Sequence, residues 1–220
     1  MKSTLFPIAL LSLIVFSLPC HAADMVDIDT FVEKACVRYK TEFSLDCTVG
    51  AWNAMLDTAD VMGFIWNLYG FDPAYQVSRT SDGFHVVDPS GIEGDVRLLS
   101  SSETSRVYLA KGKLKNWGIP ISLVGKVLFI IDVTPVGDNV SISFRAFGEG
   151  GDTIVVRMIL AAVSPILEHL IHKRITRNVA DFQTMVSDIR TQPHTLLTRL
   201  DPPMRPSFAV IAALSWPSSR

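Results

Sequence analysis

Residues 159–189 read "ILAAVSPILEHLIHKRITRNVADFQTMVSDI". Within them Val163, Leu167, Leu170, Ile171, Ile175, Val179, Phe182, Val186 and Ile189 recur at the spacing that gathers side chains on one face of an α-helix. His169, Lys173 and Arg177 fall on the other side, so one face is solvated. The stretch has no glycine, and Pro165 is well tolerated only in a first turn. Two starts are therefore open, one continuous from Thr153 and one near Pro165. A stripe this long must lie against a large apolar surface, and the chain before it supplies one.

From Tyr75 onward the period changes to two. The segments "YQVSRT" (75–80), "FHVVDP" (84–89), "GDVRLLS" (94–100), "SRVYLAKGKL" (105–114), "GKVLFIIDVT" (125–134) and "NVSISFRAFG" (139–148) read as about six strands. The turns between them are short, and a parallel pair would need a long crossover, so the strands run antiparallel. "TPVGDN" (134–139) is the clearest hairpin turn. Val127, Phe129, Ile131 and Val133 make one apolar face of their strand, while Leu128 and Ile130 put apolar groups on the other. Such a strand wants cover on both sides. In the next strand Val140, Ile142, Phe144 and Ala146 share the face expected to meet the long helix.

Two helical segments precede the strands. "DIDTFVEKACVRYKTEF" (27–43) has Asp29 or Thr30 as N-cap, with Phe31, Val32, Ala35, Cys36 and Tyr39 at helical spacing. "TVGAWNAMLDTADVMGFIWNLYGFDP" (48–73) reads as one helix, or two joined near Asp57, stopped by Gly70 and Pro73.

The chain has 220 residues, 48 % of them hydrophobic, and a net charge of −2, a folded composition that excludes a nucleic-acid binder. Positive charge gathers only at "HKRITR" (172–177). The opening "MKSTLFPIALLSLIVFSLPCHAADM" has a basic residue, an apolar run and small residues before a cleavage point, the layout of a secretory signal cut after Ala22. Its apolar run is short of the roughly 20 residues a spanning helix needs. Export makes the protein secreted, or periplasmic in a Gram-negative cell, and leaves Cys36 and Cys47 in an oxidising compartment, where a disulfide between them is expected. Unstrained, it would contribute about 3 kcal/mol. Residues 191–220 hold five prolines and read as an extended, partly disordered tail, with "FAVIAALSW" (208–216) folding back on the domain or docking at a membrane surface.

Signatures of chemistry are sparse. There is no GxSxG, HExxH, Walker or GxGxxG motif. His85, His169, His172 and His194 are too scattered for a metal site, and Glu168 with His172 forms an ordinary i, i+4 pair. "GEGG" (148–151) carries Glu149, followed by Asp152, so it suits a strand-ending loop better than an anion cradle. Asp132, opposite Ser143 if Gly137 and Asp138 form the turn, lies diagonal to Arg145. The pair is either a polar anchor inside a pocket or an ion pair on the outer face.

Helices, about six antiparallel strands, then a long amphipathic helix: over residues 50–190 this order resembles the START-like, helix-grip superfamily of lipid-transfer and polyketide cyclase-like proteins. "DGFHVVDPSGIEGDVRL", "FIIDVTPVGDNVSISFRAF" and the helix at 159–189 carry the likeness. The tubular lipid-binding fold of periplasmic lipoproteins is a second candidate. The first resemblance implies an α+β fold in which a curved antiparallel sheet wraps the C-terminal helix around a hydrophobic cavity. The chain then divides into a signal (1–22), an N-terminal helix with the disulfide (23–49), the START-like domain (50–190) and the tail (191–220). Phe129, Phe144, Leu167, Leu170, Ile171 and Phe182, with Asp132 and Arg145, are the expected ligand contacts. The expected partner is a lipid or other hydrophobic small molecule, bound without cofactor, metal or nucleic acid. A cyclase- or aromatase-like enzyme and a non-catalytic envelope interaction protein are the alternatives.

Overall fold

Between Val37 and Leu45 the side chains alternate between exposed and partly buried, and the segment is a strand, β1, rather than a continuation of the first helix. The computed structural model describes residues 26–89, 91–114, 123–150 and 154–215, and the side chains of these except Leu114, Leu123 and residues 154–171. Helix α1 spans only Ile28–Lys34. Asp27 caps it, its Oδ1 accepting from the backbone N–H groups of Asp29 and Thr30 at 3.2 and 3.4 Å. Arg38, Lys40, Glu42 and Ser44 are exposed, whereas Tyr39, Phe43 and Leu45 pack on the core. That period of two outweighs the helical spacing that Phe31, Cys36 and Tyr39 also satisfy.

The strand also overturns the expected disulfide. Cys36 and Cys47 flank opposite ends of β1, and both are free thiols. Nine residues of extended chain at about 3.3 Å each separate them by about 30 Å, against the roughly 7 Å that a disulfide allows between Cα atoms. The Cys36 thiol instead donates to the Gly148 carbonyl at 3.4 Å.

Helices α2 (Val49–Asp57) and α3 (Ala59–Leu68) break at Thr58. Six further strands follow: β2 (Gln76–Arg79), β3 (Gly83–Asp88), β4 (Ile92–Ser101), β5 (Ser105–Leu114), β6 (Leu123–Val136) and β7 (Asn139–Gly150). With β1 they form one antiparallel seven-stranded sheet in the order β1-β7-β6-β5-β4-β3-β2, a curved helix-grip arrangement with β1 as the strand the sequence reading lacked. Gly94 and Gly112 face each other across β4 and β5, and a Cβ on Gly94 would come within 2.6 Å of the Gly112 Cα, so this crossing needs two glycines. Gly137, at φ 63°, makes the two-residue turn between β6 and β7.

Strand β6 is covered on both sides, as its two apolar faces require. Phe129, Ile131 and Val133 enter the main core beneath the helices, while Leu128 joins Phe31 and Leu109 in a second cluster under α1. Helix α4 runs from Ile154 to Thr191 through Pro165 without a second start. Ile175, Val186 and Ile189 of the stripe are buried, and Val179 and Phe182 are partly so.

The tail is helical rather than extended. Helices α5 (Pro193–Arg199) and α6 (Arg205–Leu214), joined by a 3-10 turn at Pro202–Met204, bury Leu196, Leu200, Phe208 and Ile211 in the main core. Its described prolines, Pro193, Pro202, Pro203 and Pro206, stand in first turns, where a missing N–H costs nothing, so they start helices here instead of preventing them. Helix α6 docks on α2, with the Thr48 hydroxyl donating to the Leu214 carbonyl at 2.6 Å. The expected signal, residues 1–22, lies outside the described residues. Among those described, no helix is long and apolar enough to cross a membrane.

Candidate functional site: an apolar cavity with a polar corner

Helices α2 and α3 stand over one face of the sheet, and the C-terminal half of α4 closes the space beside them. Between these elements lies a cavity of about 210 Å³. The helices contribute Trp52, Met55, Met62 and Trp66, the strands Phe43, Val77, Val86 and Phe144, and α4 Ile175, Val179, Phe182 and Met185. This lining is sequence-encoded: the broad apolar face of residues 52–66 meets the α4 stripe across the inward positions of the sheet. Gly63 is required where α3 crosses β2, since a Cβ there would lie 2.6 Å from a Val77 methyl carbon.

Tyr75 and Asn178 are the polar residues of a lining whose open surface is almost wholly apolar. The Tyr75 oxygen accepts from Arg174 Nη2 at 3.1 Å and from Asn178 Nδ2 at 3.0 Å. Arg174 is 4 % exposed and lies 3.7 Å from the carboxylate of Asp88, itself 2 % exposed. Burial pushes the Tyr75 phenol above its usual range, only partly offset by the Arg174 charge, so it stays protonated at neutral pH. The Trp66 indole N–H donates to the Pro73 carbonyl at 2.8 Å and is satisfied there.

Of the expected ligand contacts, Phe144 and Phe182 line the cavity. Phe129 lies on the same face of the sheet, buried, with its ring 5.6 Å from that of Phe144. The side chains of Leu167, Leu170 and Ile171 lie outside the described residues. Asp132 and Arg145 are not in the cavity. They alternate with Ile131, Val133 and Phe144, so they point to the opposite face of the sheet. There Arg145 Nη2 donates to Asp132 Oδ2 at 2.7 Å and Ser105 donates to Oδ1 at 2.7 Å, both charged side chains being more than a third exposed. The predicted register, Asp132 opposite Ser143, is the observed one, and the pair takes its outer-face form.

The polar corner escaped the sequence reading. Arg174 sits inside "HKRITR", which reads as a solvated basic cluster, and Asn178 reads as an ordinary helix residue. Both nevertheless fall four residues from stripe members, at 170 and 182 respectively, and four residues from each other. Polar residues spaced within an apolar stripe were the available signal. Among the described residues no group of three or more histidine, cysteine or acidic side chains could hold a metal.

No protein-family model matches the chain, and no curated protein matches it in sequence. Solved structures resemble it in outline. A protein from Arthrobacter aurescens solved by NMR is 10 % identical, the match covering 71 % of this chain and 88 % of that one at a TM-score of 0.49. Ara h 8.0201 is 13 % identical, with 67 % and 92 % covered and a TM-score of 0.42. DynU16, from the dynemicin biosynthetic locus, is 14 % identical, with 65 % and 47 % covered and a TM-score of 0.37.

Proposed function

We propose that this protein is a non-catalytic binder of a hydrophobic small molecule or lipid segment, held between the sheet, α2, α3 and α4. The supporting observation is the cavity itself, about 210 Å³ of space lined almost wholly by aromatic, aliphatic and methionine side chains. The space is partly open to solvent, so without an occupant its apolar lining stays in contact with water, and an apolar ligand would bury it. A cavity of about 150 Å³ lined by apolar side chains accepts benzene, whereas drug-sized ligands occupy roughly 300–1,000 Å³. The volume therefore suits one or two fused rings, or the end of a longer chain that extends outside. We further propose that the chain is exported and begins near Ala23 after loss of residues 1–22, which the layout of "MKSTLFPIALLSLIVFSLPCHA" supports.

Organic extraction of protein purified from its native cells, followed by mass spectrometry, tests the binding role. It is paired with naphthalene titration read from tryptophan emission, to which Trp52 and Trp66 of the lining contribute. A stoichiometric apolar extract or saturable quenching is expected, and neither appearing would refute the role. N-terminal sequencing of the mature chain tests export, which an intact Met1 would contradict.

A further inference from the structure

Resting on the cavity reading, the geometry points to a ligand with an uncharged oxygen function, a hydroxyl or carbonyl, placed at the corner formed by Tyr75 and Asn178. A phenol oxygen has one proton to give and two lone pairs to share. Arg174 Nη2 and Asn178 Nδ2 already occupy the acceptor side at 3.1 and 3.0 Å. The O–H is thereby left to donate, and none of the described residues accepts it. The Asn178 Oδ1 also has no hydrogen-bond partner, but it has no surface open to the cavity, so the Tyr75 donor alone is offered. Buried groups of this kind are ordinarily paired. A hydroxyl or a carbonyl oxygen can accept it.

Charge selects against an ionised head group. Arg174 is buried behind the corner with Asp88 3.7 Å away, so the nearest cation is already opposed by an anion. A carboxylate would have to be desolvated into the apolar lining without a cation of its own. The hydrogen-bonded corner also gives orientation, since the rest of the lining offers no direction to an apolar ligand.

Three probes of equal ring size separate the possibilities: naphthalene, 2-naphthol and 2-naphthoate, each titrated at pH 7 against the full mature chain and against Tyr75→Phe and Asn178→Leu. The wild type should bind 2-naphthol about tenfold more tightly than naphthalene, a difference of about 1.4 kcal/mol, and 2-naphthoate most weakly. In Tyr75→Phe the preference for 2-naphthol should vanish while naphthalene affinity holds within about twofold. Asn178→Leu provides a second route should the tyrosine variant fail to fold. Equal binding of naphthalene and 2-naphthol by the wild type, or a preference that survives both substitutions, overturns the inference and leaves the cavity reading standing. Tightest binding of 2-naphthoate overturns it in favour of an anionic head group. Failure of naphthalene itself to bind removes the cavity reading and this one with it.

Discussion

Cys47 is fully buried at the end of β1, and burial, assisted by the neighbouring Asp46 carboxylate, pushes its thiol up to about 12 against the opposing influence of Arg190. Thiolate is the reactive form, so Cys47 should be inert in the native protein at pH 8 while partly exposed Cys36 reacts. In the chain without residues 1–22, and so without Cys20, maleimide labelling should count one thiol per native chain and two in denaturant without reductant. A count of zero in denaturant would restore the disulfide. The buried phenols set a second residue-scale expectation. Burial raises both Tyr75 and Tyr108, the latter to about 12. Their neutral forms are favoured in the fold, so stability is fully present below the unfolded value near 10 and declines as pH rises from there through about 12. Denaturant midpoints at pH 8 and pH 11 check this, with the lower midpoint expected at pH 11. Individual residues were the least legible level of the sequence. The Asp132–Arg145 partnership followed from turn geometry, but which face it occupied depended on what each side of β6 met. Arg174 was hidden because a basic side chain on a helix is ordinarily solvated, and the partners that make its burial tolerable, Asp88 and Tyr75, lie 86 and 99 residues earlier.

At the scale of elements, α6 turns a proline-rich tail into part of the core. Phe208 and Ile211 are essentially inaccessible to solvent, and Thr48 ties the start of α2 to the end of α6. Deleting residues 192–220 should therefore give insoluble or unfolded protein, visible as loss of a cooperative thermal transition. A truncated chain that melts like the full one would show that α5 and α6 are dispensable. Thr48→Ala removes both the cap on Ala51 N and the Leu214 link, and should cost about 1–2 kcal/mol in chemical denaturation. Element types from Val49 to Gly150 were legible because their periods are long, unmixed and punctuated. β1 was not, because Phe31, Cys36 and Tyr39 happen to satisfy a helical spacing that runs across the α1–β1 boundary. The tail was misread because proline content says nothing of whether each proline starts a helix or prevents one.

Across the whole molecule, as far as the described residues go, one apolar cluster lies on each side of the sheet, and the one beneath α2, α3 and α4 borders the apolar cavity. Side chains bordering that space have less packing to lose. Phe182→Ala should destabilise less than Phe208→Ala, which deletes a ring that is 1 % exposed and should cost roughly 3–5 kcal/mol. Equal costs would mean that the cavity is closed in solution. Three methionines, Met55, Met62 and Met185, line the cavity, whereas Met204 packs elsewhere on the same core. A naphthalene titration of protein labelled with 13C at its methionine methyls therefore reads the central claim directly. Saturable shifts at Met55, Met62 and Met185, with Met204 unmoved, are the predicted result. Unchanged spectra at saturating naphthalene, or shifts at Met204 without the other three, would contradict it.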